Sequence, residues 1–237
     1  MHSRALVLGA WGVHAYTASG LVAGVFSIIA IFEGHAQIAF FWMLIAVLID
    51  ATDGSLARAI NVTRVLPRFD GSKLDDIVDY TTFVVCPVLF LHEFGMLPAK
   101  LHALFVGIPL LASAYGFCQA NAKTTDFYFT GFPSYWDILA FYLHVCNAPP
   151  WLNGAVIIIL AVCVFIPVRY VYPTRTPYLR TLTIFLSMVW TAVLAILLFQ
   201  FPNPDDWLIL GSLFYPCYYT LLSFYLHFKT KRTSQRP

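Results

Sequence analysis

The chain has 237 residues, of which 59% are hydrophobic, 17% aromatic and only 11% charged, against roughly 25% charged in a soluble domain. Its mean hydropathy is +0.74. Water does not solvate such a surface, so the composition excludes a soluble enzyme, a disordered regulator and a nucleic-acid binder with a basic face. The 14 basic and 12 acidic residues leave a net charge of +2, which points to no acidic partner. What remains is an integral membrane protein.

A helix crosses a hydrocarbon core of about 30 Å with about 20 mostly apolar residues. The stretch 5–31 contains no Asp, Glu, Lys or Arg and is longer than the roughly 7–15 apolar residues of a signal-peptide core; it reads as a retained first span. In chain order the apolar runs predict spans over 10–32, 36–58, 72–94, 99–120, 134–148, 151–172, 179–201 and 206–228. The fifth is short and is followed at once by Asn147, Ala148, Pro149 and Pro150, so the fifth and sixth alternatively form a re-entrant pair. The expected fold is an all-α polytopic bundle of about eight spans, a single domain over 1–237.

Charge placement orients it, because Lys and Arg concentrate in cytoplasmic loops. With both termini cytoplasmic, the inner side holds Arg4, Arg58, Arg64, Arg68, Lys73, Lys123, Arg169, Arg175, Arg180, Lys229, Lys231, Arg232 and Arg236, and only Lys100 lies outside. Five cysteines, at 86, 118, 146, 163 and 217, form no Cys-x-x-Cys pair and no metal-ligand spacing, and read as small hydrophobes.

Asp50, Asp53, Asp70, Asp75, Asp76 and Asp79 crowd the cytoplasmic end of the second span, the next loop and the start of the third. Ionisable residues in a membrane segment are costly, about 2.5–3.5 kcal/mol each on insertion scales. Asp50 and Asp53 are i, i+3, and Asp75 and Asp79 are i, i+4, so each pair shares a helix face. Two such pairs on neighbouring helices suit a hard divalent cation, since oxygen donors favour Mg²⁺, Mn²⁺ or Ca²⁺ and no soft ligand is near. Four carboxylates are enough for two ions about 3.5–4 Å apart. Gly54 and Ala57 leave room for a phosphate-bearing ligand beside the first pair, and Arg58 offers a planar fork to phosphate oxygens. The competing reading has the acids capping helix ends and pairing with Arg58, Arg64, Arg68 and Lys73.

Asp50 opens the run D-A-T-D-G-S-L-A-R, and Gly71 opens G-S-K-L-D-D-I-V-D. The two resemble the CDP-alcohol phosphatidyltransferase signature, D-x2-D-G-x2-A-R, a spacer, then G-x3-D-x3-D, matched by Asp50, Asp53, Gly54, Ala57, Arg58, Gly71, Asp75 and Asp79. Residues 59–70 make the spacer longer than is usual in the family. That longer spacer resembles the phosphatidylcholine synthase branch found in bacteria. So do Thr17-Ala18-Ser19-Gly20, Ala122-Lys123-Thr124, Gly131-Phe132-Pro133-Ser134-Tyr135-Trp136 and Val171-Tyr172-Pro173-Thr174-Arg175-Thr176.

The resemblance implies an enzyme of the bacterial inner membrane, its active site facing the cytoplasm. It would transfer the phosphatidyl group of CDP-diacylglycerol to choline and release CMP. It implies Asp50, Asp53, Asp75 and Asp79 as ligands of Mn²⁺ or Mg²⁺, two ions in all. Asp79 is then the favoured base for the alcohol proton, and Asp53, Gly54, Ala57, Arg58 and Gly71 hold CDP-diacylglycerol. Family members are often homodimers. A quaternary ammonium is recognised by aromatic faces, and Tyr80, Tyr115, Tyr135, Trp136 and Tyr142 are the candidates for choline, although aromatics also form interfacial belts. Of the seven scattered histidines, His14, near the inner end of the first span, is the one worth watching; the competing reading is a polar residue at the membrane interface. Rival readings are a relative that takes serine, glycerol 3-phosphate or an inositol phosphate, and a cation transporter with acids along its path.

Overall fold

A computed structural model describes residues 3–234; Arg236, counted above with the basic tail, lies outside them. The chain divides into two compact units at Phe94 and Gly95.

The first unit begins with α1, Arg4–Phe32. It starts six residues before the predicted span because Ser3 accepts a hydrogen bond from the Leu6 N–H and caps the helix, satisfying one of its orphan donors. Gly34, with φ +76°, turns the chain tightly into α2, Ala36–Ile60, a backbone conformation that costs glycine no Cβ clash. The Ser27 hydroxyl donates to the Ala39 carbonyl across this hairpin. Asn61, at φ +55°, ends α2, its N–H reaching the Ala57 and Arg58 carbonyls as a left-handed C-cap.

A short α3, Val62–Val65, follows and packs with Ala10 and Val13 of α1. The third predicted interval is helical from Gly71 to Glu93: α4, Gly71–Asp79, runs through a π-turn at Tyr80–Val85 into α5, Cys86–Glu93. Asp70 caps α4 by accepting from the Lys73 N–H.

Glycines on α1 set how closely these helices approach. A Cβ on Gly20 would lie 2.6 Å from Val78 Cγ1, and one on Gly24 3.2 Å from Thr82 Cγ2. The Cys86 thiol sits 3.5 Å from the Gly24 carbonyl oxygen. Small residues spaced by one turn thus let α4 and the π-turn lie directly on α1, the packing that membrane helices use in the absence of a strong hydrophobic force between them.

The second unit comprises α6, His102–Cys118; β1, Tyr128–Thr130; α7, Trp136–Val145; α8, Pro150–Phe165; β2, Arg169–Val171; α9, Arg180–Phe199; α10, Asp206–Ser212; and α11, Phe214–Ser234. The sixth predicted span, expected over 151–172, therefore stops at Phe165. Residues beyond it form β2, antiparallel to β1 with Tyr128 opposite Val171 and Thr130 opposite Arg169. The small sheet is pinned to α11: the Tyr219 hydroxyl donates to the Val171 carbonyl, and the Val171 N–H donates to Ser223 Oγ. Around it Tyr128, Tyr170, Val171, Tyr219, Leu222 and Leu226 form a buried core.

Among the described residues, five helices are long and apolar enough to cross a membrane: Arg4–Phe32, Ala36–Ile60, Ala99–Cys118, Arg180–Phe199 and Asp206–Thr230. The chain is a multi-pass, mostly helical membrane protein. The difference from the expected eight has physical causes. The third interval carries four charges in its first turns and is broken by the π-turn. The fifth is only the 10 residues of α7, about 15 Å at 1.5 Å per residue, and the sixth is 16 residues.

Candidate active site

The site is built where α1, α2 and α4 meet in the first unit. One carboxylate oxygen each from Asp50, Asp75 and Asp79 lies within 4.8 Å of the other two, all three side chains half-buried. Asp75 and Asp79 stand one turn apart on α4, and Asp50 comes from the second half of α2. Three carboxylates this close repel one another, and a bound cation would compensate their charge. Their all-oxygen donor set suits Mg²⁺ or Mn²⁺ and not a thiophilic metal. The donor chemistry therefore fits a divalent ion.

Asp53, the fourth acid of the motif, is buried, and its Oδ2 accepts a 2.7 Å hydrogen bond from the Thr17 hydroxyl of α1. The i, i+3 spacing explains the division of labour with Asp50, since three residues leave two side chains about 60° apart around the axis. Asp50 is then directed to α4 and Asp53 to α1. A second link, Tyr16 Oη to Thr52 Oγ1 at 2.8 Å, holds α1 and α2 together beside it. Sequence reasoning quoted Thr17 only as part of a similar segment; nothing local in the sequence marks it as the partner of an acid 36 positions away.

The remaining motif positions have distinct placements. The Arg58 guanidinium folds back along its own helix, Nη2 donating to Ser55 Oγ at 3.0 Å, and a Cβ on Gly54 would stand 3.1 Å from Nη1. Gly54 thus makes room for the arginine as well as for any ligand. Ala57 packs against the apolar cluster of Val13, Val62 and Val65. Gly71, the first residue of α4, lies under the His14 ring, with a hypothetical Cβ 2.7 Å from Cε1. Lys73 pairs with Asp70 at 3.6 Å on the surface.

Of the aromatic candidates, Tyr80 is half-buried at the start of the π-turn, directly after Asp79. The others belong to the second unit. Tyr115 is exposed and packs on Phe165 at 4.7 Å. Tyr135 meets the Tyr219 ring edge-on at 5.9 Å. Trp136 is wholly buried and donates its indole N–H to Ser113 Oγ, while the Tyr142 hydroxyl contacts Ser212 and accepts from the Trp190 indole. Trp136 and Tyr142 are thus engaged in packing. The loops around β1 and β2, two of the segments singled out in the sequence, are brought together there. Arg169 is bonded to Asp126, Arg175 lies over the Phe127 ring at 4.2 Å, and the buried Thr176 hydroxyl donates to the Phe127 carbonyl.

Fold and motif together define a class: a helical membrane protein with the paired-carboxylate signature of the CDP-alcohol phosphatidyltransferases. Comparison with known proteins narrows it. The chain is 42% identical over 223 residues to a phosphatidylcholine synthase of Legionella pneumophila, covering 91% of this chain and 88% of that one. It is 37% identical over 206 residues to the one from Pseudomonas aeruginosa, covering 87% and 86%, and 34% identical over 225 residues to the one from Borreliella burgdorferi, covering 94% and 96%. No family model matches the chain. The chain belongs to the phosphatidylcholine synthase family.

Proposed function

We propose that this protein transfers the phosphatidyl group of CDP-diacylglycerol to choline, forming phosphatidylcholine and releasing CMP. The convergence of Asp50, Asp75 and Asp79 within 4.8 Å carries the reading, because such a cluster can hold the divalent cations whose positive charge displacement at a diphosphate requires. When bound, one or two Mn²⁺ or Mg²⁺ ions neutralise the diphosphate and the departing CMP. Asp50, Asp75 and Asp79 would hold them, with Asp53 completing the set from its Thr17-fixed position.

The choline oxygen forms a bond to the phosphorus that bears the diacylglycerol, the bond from that phosphorus to the oxygen bridging to the CMP phosphate breaks, and CMP leaves with the bonding pair. Asp79 accepts the hydroxyl proton. Arg58 and the backbone at Gly54 and Gly71 meet phosphate oxygens, and Tyr80, next to Asp79, presents a ring to the quaternary ammonium. No side-chain nucleophile is required. In this reading the chain is one multi-pass enzyme of the bacterial inner membrane, both termini and the site face the cytoplasm, and two copies associate.

The test is CMP release by the reconstituted protein given CDP-diacylglycerol and Mn²⁺, with choline, serine or glycerol 3-phosphate in parallel. Release with choline, ending in phosphatidylcholine, is expected. Release with serine or glycerol 3-phosphate alone overturns the acceptor, and release with none of the three overturns the reaction.

A further inference from the structure

The buried and half-buried polar side chains along α1 are accounted for with one exception. Tyr16 reaches Thr52, Thr17 reaches Asp53, Ser19 donates to the Tyr16 carbonyl and Ser27 to the Ala39 carbonyl. His14 is 7% exposed, and its Nε2 is buried without any hydrogen-bond partner. A buried polar atom left unpaired is rare and costly in folded proteins, so its position calls for an explanation.

The ring is fixed by aromatic neighbours, Phe69 at 4.3 Å and Trp11 at 5.9 Å between centroids. Its Nδ1–Cε1–Nε2 edge is turned to Gly71, all three atoms falling within 3.8 Å of where a Cβ would be. Gly71 starts the helix that carries Asp75 one turn later and Asp79 a turn beyond that. On the other side, Thr17 lies one turn along α1 from His14 and holds Asp53. His14 therefore stands one turn before Thr17 on α1 and over Gly71, one turn before Asp75 on α4, with its ring packed against the start of the helix that carries two of the clustered acids. A side chain in that position loses nothing further in ordering when a ligand arrives.

Given the reaction proposed above, on which this inference rests, we propose that His14 is a further substrate-binding residue, donating from Nε2 to a phosphate oxygen of the nucleotide lipid. Cations held by the acids would balance the negative charge of the diphosphate. His14 adds a directional N–H from a third helix, which fixes the orientation of the phosphate.

His14→Leu and His14→Gln separate this role from packing. Leu fills most of the space without a donor, and Gln places an N–H near the Nε2 position. With reconstituted protein, His14→Leu is expected to raise the KM for CDP-diacylglycerol by about tenfold, the loss of one hydrogen bond to a charged group. The KM for choline and the Mn²⁺ requirement are expected to stay unchanged, the melting temperature not to fall, and Gln to restore most of the loss. CMP binding tells the phosphates apart. Weakening in His14→Leu puts the contact on the nucleotide phosphate, and unchanged CMP binding with a raised KM puts it on the lipid-bearing one.

An unchanged KM for CDP-diacylglycerol in His14→Leu, or a rise in step with choline KM and Mn²⁺ requirement, overturns the proposal. A direct reading needs no substitution in the observed sample: in ¹⁵N-histidine-labelled wild type, the Nε2 resonance missing from His14→Gln moves when CDP-diacylglycerol and Mg²⁺ are added. A stationary resonance overturns the proposal even if His14→Leu fails to fold. Absence of CMP release from the wild type with any alcohol is instead the failure of the reaction assigned above.

Discussion

Thr17 Oγ1 donates to Asp53 Oδ2 at 2.7 Å, tying the first helix to the acid that closes the motif on the second. Asp53 is thereby oriented from outside its own helix, while Asp50, one turn earlier, is the member of the pair that meets Asp75 and Asp79. Partners behind a metal-binding acid commonly matter by 10–100-fold in metal affinity or activity. Thr17→Val is therefore expected to raise the Mn²⁺ concentration for half-maximal CMP release by about tenfold or more, and Thr17→Ser to stay near wild type. A metal titration of turnover checks both.

The carboxylate cluster predicts opposite effects on activity and on metal-free stability. Asp50→Asn, Asp75→Asn and Asp79→Asn each relieve repulsion within the cluster, so each variant without metal melts at or above the wild-type temperature. Added Mn²⁺ raises the wild-type melting temperature by ligand linkage, and this rise is reduced or lost in the variants together with turnover. Thermal melts with and without Mn²⁺, run beside the CMP assay, provide the check. For Asp79→Asn, turnover is expected to remain absent even at saturating Mn²⁺, which distinguishes the proton acceptor from a simple ligand.

Close approach of α1 to α4 makes Gly20 sensitive to size. A Cβ there falls 2.6 Å from Val78 Cγ1, whereas one on Gly12 meets nothing within 4 Å. Gly20→Leu is expected to cost about 1–3 kcal/mol through overpacking and to lower CMP release by displacing the helix that bears Asp75 and Asp79. Gly12→Ala is expected to be neutral or to stabilise by up to about 1 kcal/mol through helix propensity. Melting in detergent, compared across the two variants, is the measurement.

Asp126 and Arg169 clip the β1 loop to β2. Burial alone would raise the Asp126 carboxyl, but the Thr124 hydroxyl and the Arg169 charge outweigh it and hold the group below its ordinary 3.8. A depressed carboxylate contributes stability above its unfolded value and loses that contribution as pH falls through the folded one. Both side chains are partly exposed, so Asp126→Asn is expected to cost only about 0.5 kcal/mol near neutrality. The difference from wild type is expected to vanish as pH drops below 3.8, which a pH series of thermal melts would show.

Legibility in the sequence followed the range of each interaction. Apolar length is a local property, so α2, expected over 36–58, runs Ala36–Ile60, and α9, expected over 179–201, runs Arg180–Phe199. The i, i+4 spacing of Asp75 and Asp79 is equally local, and the structure does place them together with Asp50. What escaped was non-local. The pairing of Tyr128 with Val171 joins segments about 40 positions apart, and the Arg169–Val171 stretch looks apolar enough to extend a helix until its partner is known. The Thr17–Asp53 bond and the seating of His14 over Gly71 escaped for the same reason. The aromatic candidates fared differently because composition alone could not tell a ring open to a ligand from Trp136, buried with its N–H already bonded.

The π-turn at Tyr80–Val85 adds one residue to a helix that otherwise advances about 100° per residue. Above it the acidic face presents Asp75 and Asp79; below it Cys86 meets the Gly24 carbonyl. Deleting a single residue from this turn would return it to α geometry and rotate one half against the other by that angle, leaving every side chain chemically intact but the acids facing elsewhere. In this segment the reading frame of the helix, and not only the identity of its residues, decides whether the site exists.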